Sequence, residues 1–238
     1  MDAVMRFCVT LDDKNKDIAF LPVDFRSSLI SFVKLMLNGT MYFNKFRERH
    51  PGFSPYVLGL ELHNTIFYRD AVRVRLPLRV YFSSGISELA IAACNKAINM
   101  QGNITIFGLT ITAVELLREA TLSGKQVANF RIIGHAVFRG PGGYIKASDL
   151  VGLEEALNYS LRVKTDFLSK YQVIAQYTPV RIISSNLYKG VCRHYGGMID
   201  SVKGELELSG SPEMLQILYD YGLGVRTGQG YGYVEILG

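Results

Sequence analysis

The sequence predicts an α+β protein made of two tandem ferredoxin-like (RRM-like, βαββαβ) domains. Three observations carry that expectation. Apolar runs of strand length alternate with polar residues, each half holds two amphipathic helical stretches, and the same element order restarts after a polar break at 118–126.

In the first half, residues 4–11 read as a strand, followed by the polar turn DDKNKD. From 23 to 37, Phe25, Leu29, Phe32, Val33 and Met36 recur at helical spacing behind Pro22. A second short helix is expected over 40–49, ended by Pro51 and Gly52. Residues 56–62 and 71–84 read as strands, the latter with Val72, Val74 and Leu76 alternating against Arg73 and Arg75. A helix over 86–99 and a β-branched strand over 103–117 complete a βαββαβ order. The second half repeats it, with a strand over 127–138, a helix over 150–171 and strands over 179–192 and 198–210. A helix then runs over 211–222 with Ser211 as N-cap, Pro212 at its first position and Gly222 at its end, before a last strand over 231–237. The expected domains are therefore 1–120 and 125–238.

The chain has 238 residues, 48% hydrophobic, enough for two cores. No apolar run reaches the length of a membrane span and the N-terminus lacks a signal-peptide layout, so a cytoplasmic protein without membrane contact is expected. Cys8, Cys94 and Cys192 are scattered, with neither a disulfide framework nor zinc-ligand spacing. No cofactor or metal is expected. The net charge of +5 leans towards a polyanion partner.

The ending YGLGVRTGQGYGYVEIL concentrates glycine between the last helix and the last strand. Gly222, Gly224, Gly228, Gly230 and Gly232 surround Arg226, Thr227 and Gln229. A loop of this composition presents backbone N–H groups and one guanidinium to phosphate oxygens. Phosphate fingerprints of nucleotide-binding folds follow a strand and open a helix, the reverse of this context.

Glycine–hydrophobic–glycine, five residues including a basic one, then glycine–hydrophobic–glycine resembles the signature of the RAMP superfamily of CRISPR-associated RNA-binding proteins. Over its whole length the chain is similar to that superfamily's repeat-RNA processing endoribonucleases. PVDFRSSLISFVKLML matches their first helix, and GHAVFRGPGGYIKASDLVGLEEALNYSLRVKTDFL their second-domain strand, hairpin and long helix. The resemblance implies metal-independent cleavage of CRISPR repeat transcripts. In that reaction the ribose 2′-OH attacks the adjacent phosphate, leaving a 2′,3′-cyclic phosphate and a 5′-OH. It needs a base, an acid and a cation for the growing charge.

Four histidines are available: His50, His63, His135 and His194. His50 stands where the family keeps its catalytic histidine, with Lys45 and Tyr42 on neighbouring turns of the expected helix to assist. Arg49 before it and Pro51 after it depart from the family's apolar residue and glycine-rich loop. His63 and His135 read as structural, and His194, between Arg193 and Tyr195, as an RNA contact. Arg139 and Lys146 flank the GPGGY tip, and Lys189 and Arg193 recur on the strand and hairpin further on. Arg73 and Arg75 lie on one strand face, spaced for adjacent phosphates. FVKL and KGVCRHY do not fit the RRM stacking motifs, so phosphate and shape recognition is expected. Expected partners are CRISPR repeat RNA, other effector subunits and a second copy of the chain. The alternatives are a non-catalytic RAMP-type subunit of an effector complex and an unrelated ferredoxin-like protein.

Overall fold

A computed structural model describes residues 5–40, 43, 53–169, 176–194 and 196–237. Its elements are β1 (Met5–Asp12), β2 (Ile18–Pro22), α1 (Arg26–Leu37), β3 (Val57–Phe67), β4 (Ala71–Ser84), α2 (Ser87–Met100), β5 (Thr105–Ile106) and β6 (Leu109–Leu116) in the first half. The second half holds β7 (Val127–Ala136), β8 (Arg139–Gly140), β9 (Gly143–Tyr144), α3 (Leu150–Ser169), β10 (Arg181–His194), β11 (Gly197–Ser209), α4 (Pro212–Tyr221) and β12 (Val234–Leu237).

Among the described residues, two large antiparallel sheets form besides the small β8–β9 pair, and the topologies of the two large ones match. In the first, β4 lies between β3 and β1, and β1 pairs β6, giving the order β3-β4-β1-β6. In the second the order is β10-β11-β7-β12. Taking the four principal strands of each half in sequence, both sheets run 2-3-1-4, the ferredoxin-like arrangement that the element order implied.

Each sheet buries one face. Val72, Val74, Leu76, Leu78 and Val80 alternate along β4 and pack with Leu29, Phe32 and Met36 of α1 and Leu89, Ala93 and Ala97 of α2. In the second half Phe130, Ile132, Leu206 and Leu208 meet Leu157 and Leu161 of α3 and Leu215 and Leu218 of α4. The polar break does not hang free. Leu122 is fully buried in the second core, and its N–H donates to Gln216 Oε1 at 3.0 Å.

Four local departures from the sequence reading have simple causes. The expected 103–117 strand is a hairpin, because Phe107 and Gly108 both take positive φ (60° and 75°) and reverse the chain between β5 and β6. β2 follows directly on the polar turn, where no strand was expected, and pairs Ile18–Pro22 with the start of β4. The last strand begins at Val234 rather than 231. His63 is not at a strand end, because β3 continues to Phe67 as the edge partner of β4. The helix 211–222 is found as expected: Ser211 Oγ accepts from Met214 N–H at 3.4 Å, and Gly222 ends it at φ 81°.

Candidate nucleic-acid interface

The glycine-rich segment is packed between the two halves. Leu223 N–H donates to Gly232 O and Gly232 N–H to His135 O, both at 2.8 Å, while Val225 N–H donates to Val137 O at 2.8 Å. Thr227–Gln229, with Gly228 at its centre, form a single 3-10 turn. Gln229 N–H donates to Arg226 O, and Gly230 N–H to Thr227 O. Gly222 N–H closes α4 on Leu218 O. Six amides expected to face phosphate are therefore bonded inside the protein, and the amide cradle is corrected accordingly.

The glycines serve close approach instead. A Cβ on Gly224, at φ 68°, would lie 2.2 Å from Val137 O, and one on Gly232, at φ 77°, would lie 2.0 Å from Leu223 O. The loop also reaches the first half: Thr227 Oγ1 donates to Tyr56 O at 3.2 Å. From beneath, the buried Lys164 of α3 extends Nζ to Gly222 O at 2.5 Å and Gly224 O at 3.1 Å. Burial pushes this amine down to about 7.

Arg6 makes a second clasp between the halves. Its Nη2 donates to Val234 O at 2.6 Å, and its guanidinium lies 3.8 Å from the centre of the Tyr219 ring and 4.3 Å from that of Tyr233. Tyr233 in turn stacks on Tyr81 at 5.1 Å. No sequence pattern marked Arg6, since a lone arginine in an apolar strand becomes informative only when its partners, more than two hundred residues away, are known.

Arg226 is the polar head of the loop. Its Nη1 donates to Gln229 Oε1 at 3.0 Å and its Nη2 to Tyr144 Oη at 3.2 Å. Tyr144 sits opposite Arg139 in the β8–β9 hairpin, so exposed Arg139 and Lys146 are presented beside the same loop. His194 Nε2 lies 2.9 Å from the same Gln229 oxygen. Because Arg226 also donates to this oxygen, the N–H of His194 belongs on Nε2. The expected RNA-facing exposure of His194 is corrected: it is 5% exposed and stands edge-on to Tyr231. Desolvation lowers its pKa, partly offset by the Gln229 bond.

A cleft of 790 Å³ opens between the sheets. One wall is the end of β3 with its turn, bearing His63, Tyr68 and Arg69; the other is the β10–β11 hairpin, bearing Tyr188, Lys189, Arg193 and Lys203. Arg26, Arg131 and His135 also line it, Arg131 being ion-paired with Glu235 at 2.6 Å. Lys189 and Arg193 from the sequence reading are thus joined by cations it did not assign to a common site. His135 Nδ1 is 2.9 Å from Ser201 Oγ, and burial, reinforced by the charges of Arg26 and Lys203, lowers its pKa to about 3. It is a neutral hydrogen-bonding group at ordinary pH. His63 is exposed, with Nε2 3.7 Å from Glu61 Oε2.

The candidate catalytic residues Tyr42, Lys45 and His50 lie outside the described residues. The chain re-enters the described structure at Phe53, three positions after His50. Phe53 packs edge-on against Phe167 and Tyr221, at 5.1 and 6.0 Å, beside the glycine loop. Among the described residues no group of three His, Cys, Asp or Glu side chains is placed to hold a metal, and no helix is long and apolar enough to cross a membrane.

Two ferredoxin-like sheets, with the glycine-rich segment packed between them, are the tandem fold expected from the sequence. Residues 146–236 match the family model described as CRISPR associated protein Cas6, C-terminal. That match, over the second half of the chain, agrees with the resemblance drawn from the glycine motif. No curated protein matches the sequence. Among solved structures it is similar to a RAMP protein described as binding different RNA substrates, at TM-score 0.73 and 16% identity, with 98% of this chain and 100% of that chain covered. A Cas6-related protein from Pyrococcus furiosus gives TM-score 0.73 and 15% identity, covering 99% of each chain. A Cas6 product complex gives 0.66 and 14%, again over 99% of each. At these identities the likenesses speak for the fold.

Proposed function

We propose that this protein binds CRISPR repeat RNA in the basic cleft and cuts it without a metal ion. The observation that carries the reading is the cleft itself, lined from both halves by Arg69, Lys189, Arg193 and Lys203, with buried Arg26 and Glu235-paired Arg131 beside them, against one lining acid, Glu61. The Cas6 family match over 146–236 points the same way, as do similar structures described as RNA-binding or as product complexes. The domains of the reading are 1–120 and 125–238, each contributing one wall.

In the proposed reaction a base takes the proton of a ribose 2′-OH, whose oxygen attacks the adjacent phosphorus. The bond from phosphorus to the 5′-oxygen breaks, and an acid protonates that oxygen. His50 serves as acid or base, Lys45 balances the charge on phosphate and Tyr42 assists by hydrogen bonding. Arg226 and Gln229 steady the strand at the loop through side chains, with Arg139 and Lys146 alongside, while buried Thr227 anchors the loop to Tyr56 O. The loop glycines Gly222, Gly224, Gly228, Gly230 and Gly232 shape this surface.

Incubation with a CRISPR repeat RNA in EDTA tests the reading. The expected products carry a 2′,3′-cyclic phosphate and a 5′-OH, and His50→Ala stops cleavage while retaining binding. Cleavage undiminished in that variant would remove His50 from the mechanism. Binding without cleavage by the wild-type chain would instead mark a non-catalytic subunit of an effector complex.

A further inference from the structure

β2, the end of β3 and the start of β4 form an arm whose outer face belongs to neither core. Register sets Phe20 and Ile66 on either side of Arg73, and Arg75 lies two residues along on the same face. Phe20, Phe67 and Tyr68 are 62%, 63% and 53% exposed. Single exposed apolar residues are ordinary, but the neighbouring rings of Phe20 and Tyr68, with Ile66 46% exposed beside Arg73, form a patch that calls for a ligand, and Phe67 projects from the other face of the same tip. Their support is firm. Tyr68 N–H donates to Ala71 O at 2.8 Å across the hairpin turn, and Val23 N–H donates to Asp70 O at 3.3 Å, tying the turn to the segment before α1.

The charge beside these rings is mainly positive. Residues 62–79 hold Arg69, Arg73, Arg75 and Arg79 against a single acid, Asp70. Among the described residues no carboxylate forms an ion pair with Arg69, Arg73 or Arg75. Phe67, Tyr68 and Arg69 also line the cleft, so the patch continues the proposed RNA path past its rim.

We propose that this arm is a stacking platform for single-stranded RNA, with bases on Phe20 and Tyr68 and phosphates on Arg69, Arg73 and Arg75. The proposal rests on the RNA-binding reading of the cleft and extends it to an unpaired flank. Aromatic faces with arginines between them suit a single strand, because every base offers a π-face and every nucleotide a phosphate. The Phe20 and Tyr68 rings lie 6.2 Å apart at 45°. Inserting a base between two rings needs near-parallel planes about 7 Å apart, twice the roughly 3.4 Å stacking step. Each ring therefore takes its own base. A second copy docked here about a two-fold axis would set the same arginines against one another, which disfavours self-association through this face.

The test uses three fluorescent RNAs: an unstructured oligonucleotide of about eight nucleotides carrying 2-aminopurine, a bare repeat, and the repeat with a single-stranded flank. The double variant Phe20→Leu, Tyr68→Leu keeps apolar bulk without rings, and Tyr68→Phe keeps the ring. The leucine variant is expected to bind the oligonucleotide and the flanked repeat about tenfold more weakly and to lose 2-aminopurine quenching, with a smaller loss on the bare repeat, because Tyr68 also borders the cleft. Tyr68→Phe is expected to match the wild type. Equal affinity and quenching in the leucine variant would overturn the platform, as would loss of a dimer on sedimentation with RNA binding intact. A wild-type protein that binds the oligonucleotide but not the repeat would overturn the repeat-processing reading and leave the platform standing. Failure to bind any of the three overturns both.

Discussion

Gly232→Ala separates the two roles that the glycine-rich segment can play. In the structure Gly232 sits at φ 77°, and an added Cβ would stand 2.0 Å from Leu223 O and 3.1 Å from Leu223 N. Left-handed backbone costs an alanine about 1–2 kcal/mol. The displacement needed to clear a backbone oxygen also disturbs two hydrogen bonds, Leu223 N–H to Gly232 O and Gly232 N–H to His135 O. Their loss adds about 1–3 kcal/mol in total. The sum, roughly 2–5 kcal/mol, is a large part of the 5–15 kcal/mol typical of a folded protein. At about 2–4 °C per kcal/mol for a chain of this size, thermal denaturation is expected to show a Tm lower by roughly 4–20 °C. Gly142→Ala in the β8–β9 turn is the control, because a Cβ there meets nothing within 4 Å and its φ is not positive. It is expected to leave the Tm in place. If Gly232→Ala kept the wild-type Tm and lost only RNA affinity, the close-approach argument would fail and the glycines would be RNA contacts.

Arg6→Ala removes the bond to Val234 O and two ring contacts, and is expected to destabilise the protein by about 3 kcal/mol in a urea titration; an unchanged midpoint would deny that Arg6 joins the halves. Asp220 is buried on α4, and desolvation lifts its carboxyl to about 7 despite its Gln216 bond and the nearby Arg6 charge. Raised in the folded state, this group contributes stability that is full below about pH 4 and is lost as pH rises through about 7. Asp220→Asn is expected to gain roughly 2–4 kcal/mol above pH 8 and nothing near pH 4, and a gain independent of pH would refute the assignment. In the cleft, Lys189→Ala and Arg193→Ala are each expected to lower the log-affinity versus log-salt slope for repeat RNA by about 1, and an unchanged slope would place the strand elsewhere.

Much of the architecture was legible because period-2 and period-3.6 patterns record which face of an element is buried. Val72 to Val80 announced β4, and Ser211, Pro212 and Gly222 bracketed α4 before any contact was known. The hairpin at Phe107–Gly108 was missed because β-branched residues continue on both sides of a two-residue reversal. Of the candidate site, Lys189 and Arg193 were named as cations, but their common cleft with Arg26, Arg69 and Lys203 was not. His194 illustrates the limit: flanked by Arg193 it reads as an exposed contact, yet alternation along β10 turns it inward to Gln229.

The sequence by itself determined the order of the principal elements, the two cores and the glycine motif that resembles the RAMP signature, since these depend on local periodicity and short-range turn chemistry. Only the tertiary structure decided what the motif does for the fold. Its amides are spent on carbonyls of the β7 end and of the loop itself, and its glycines admit backbone where no side chain fits. The distinction follows from distance along the chain. A hydrogen bond between Gly232 and His135, or between Arg6 and Val234, joins residues that no local pattern relates, and it exists only once both sheets have formed.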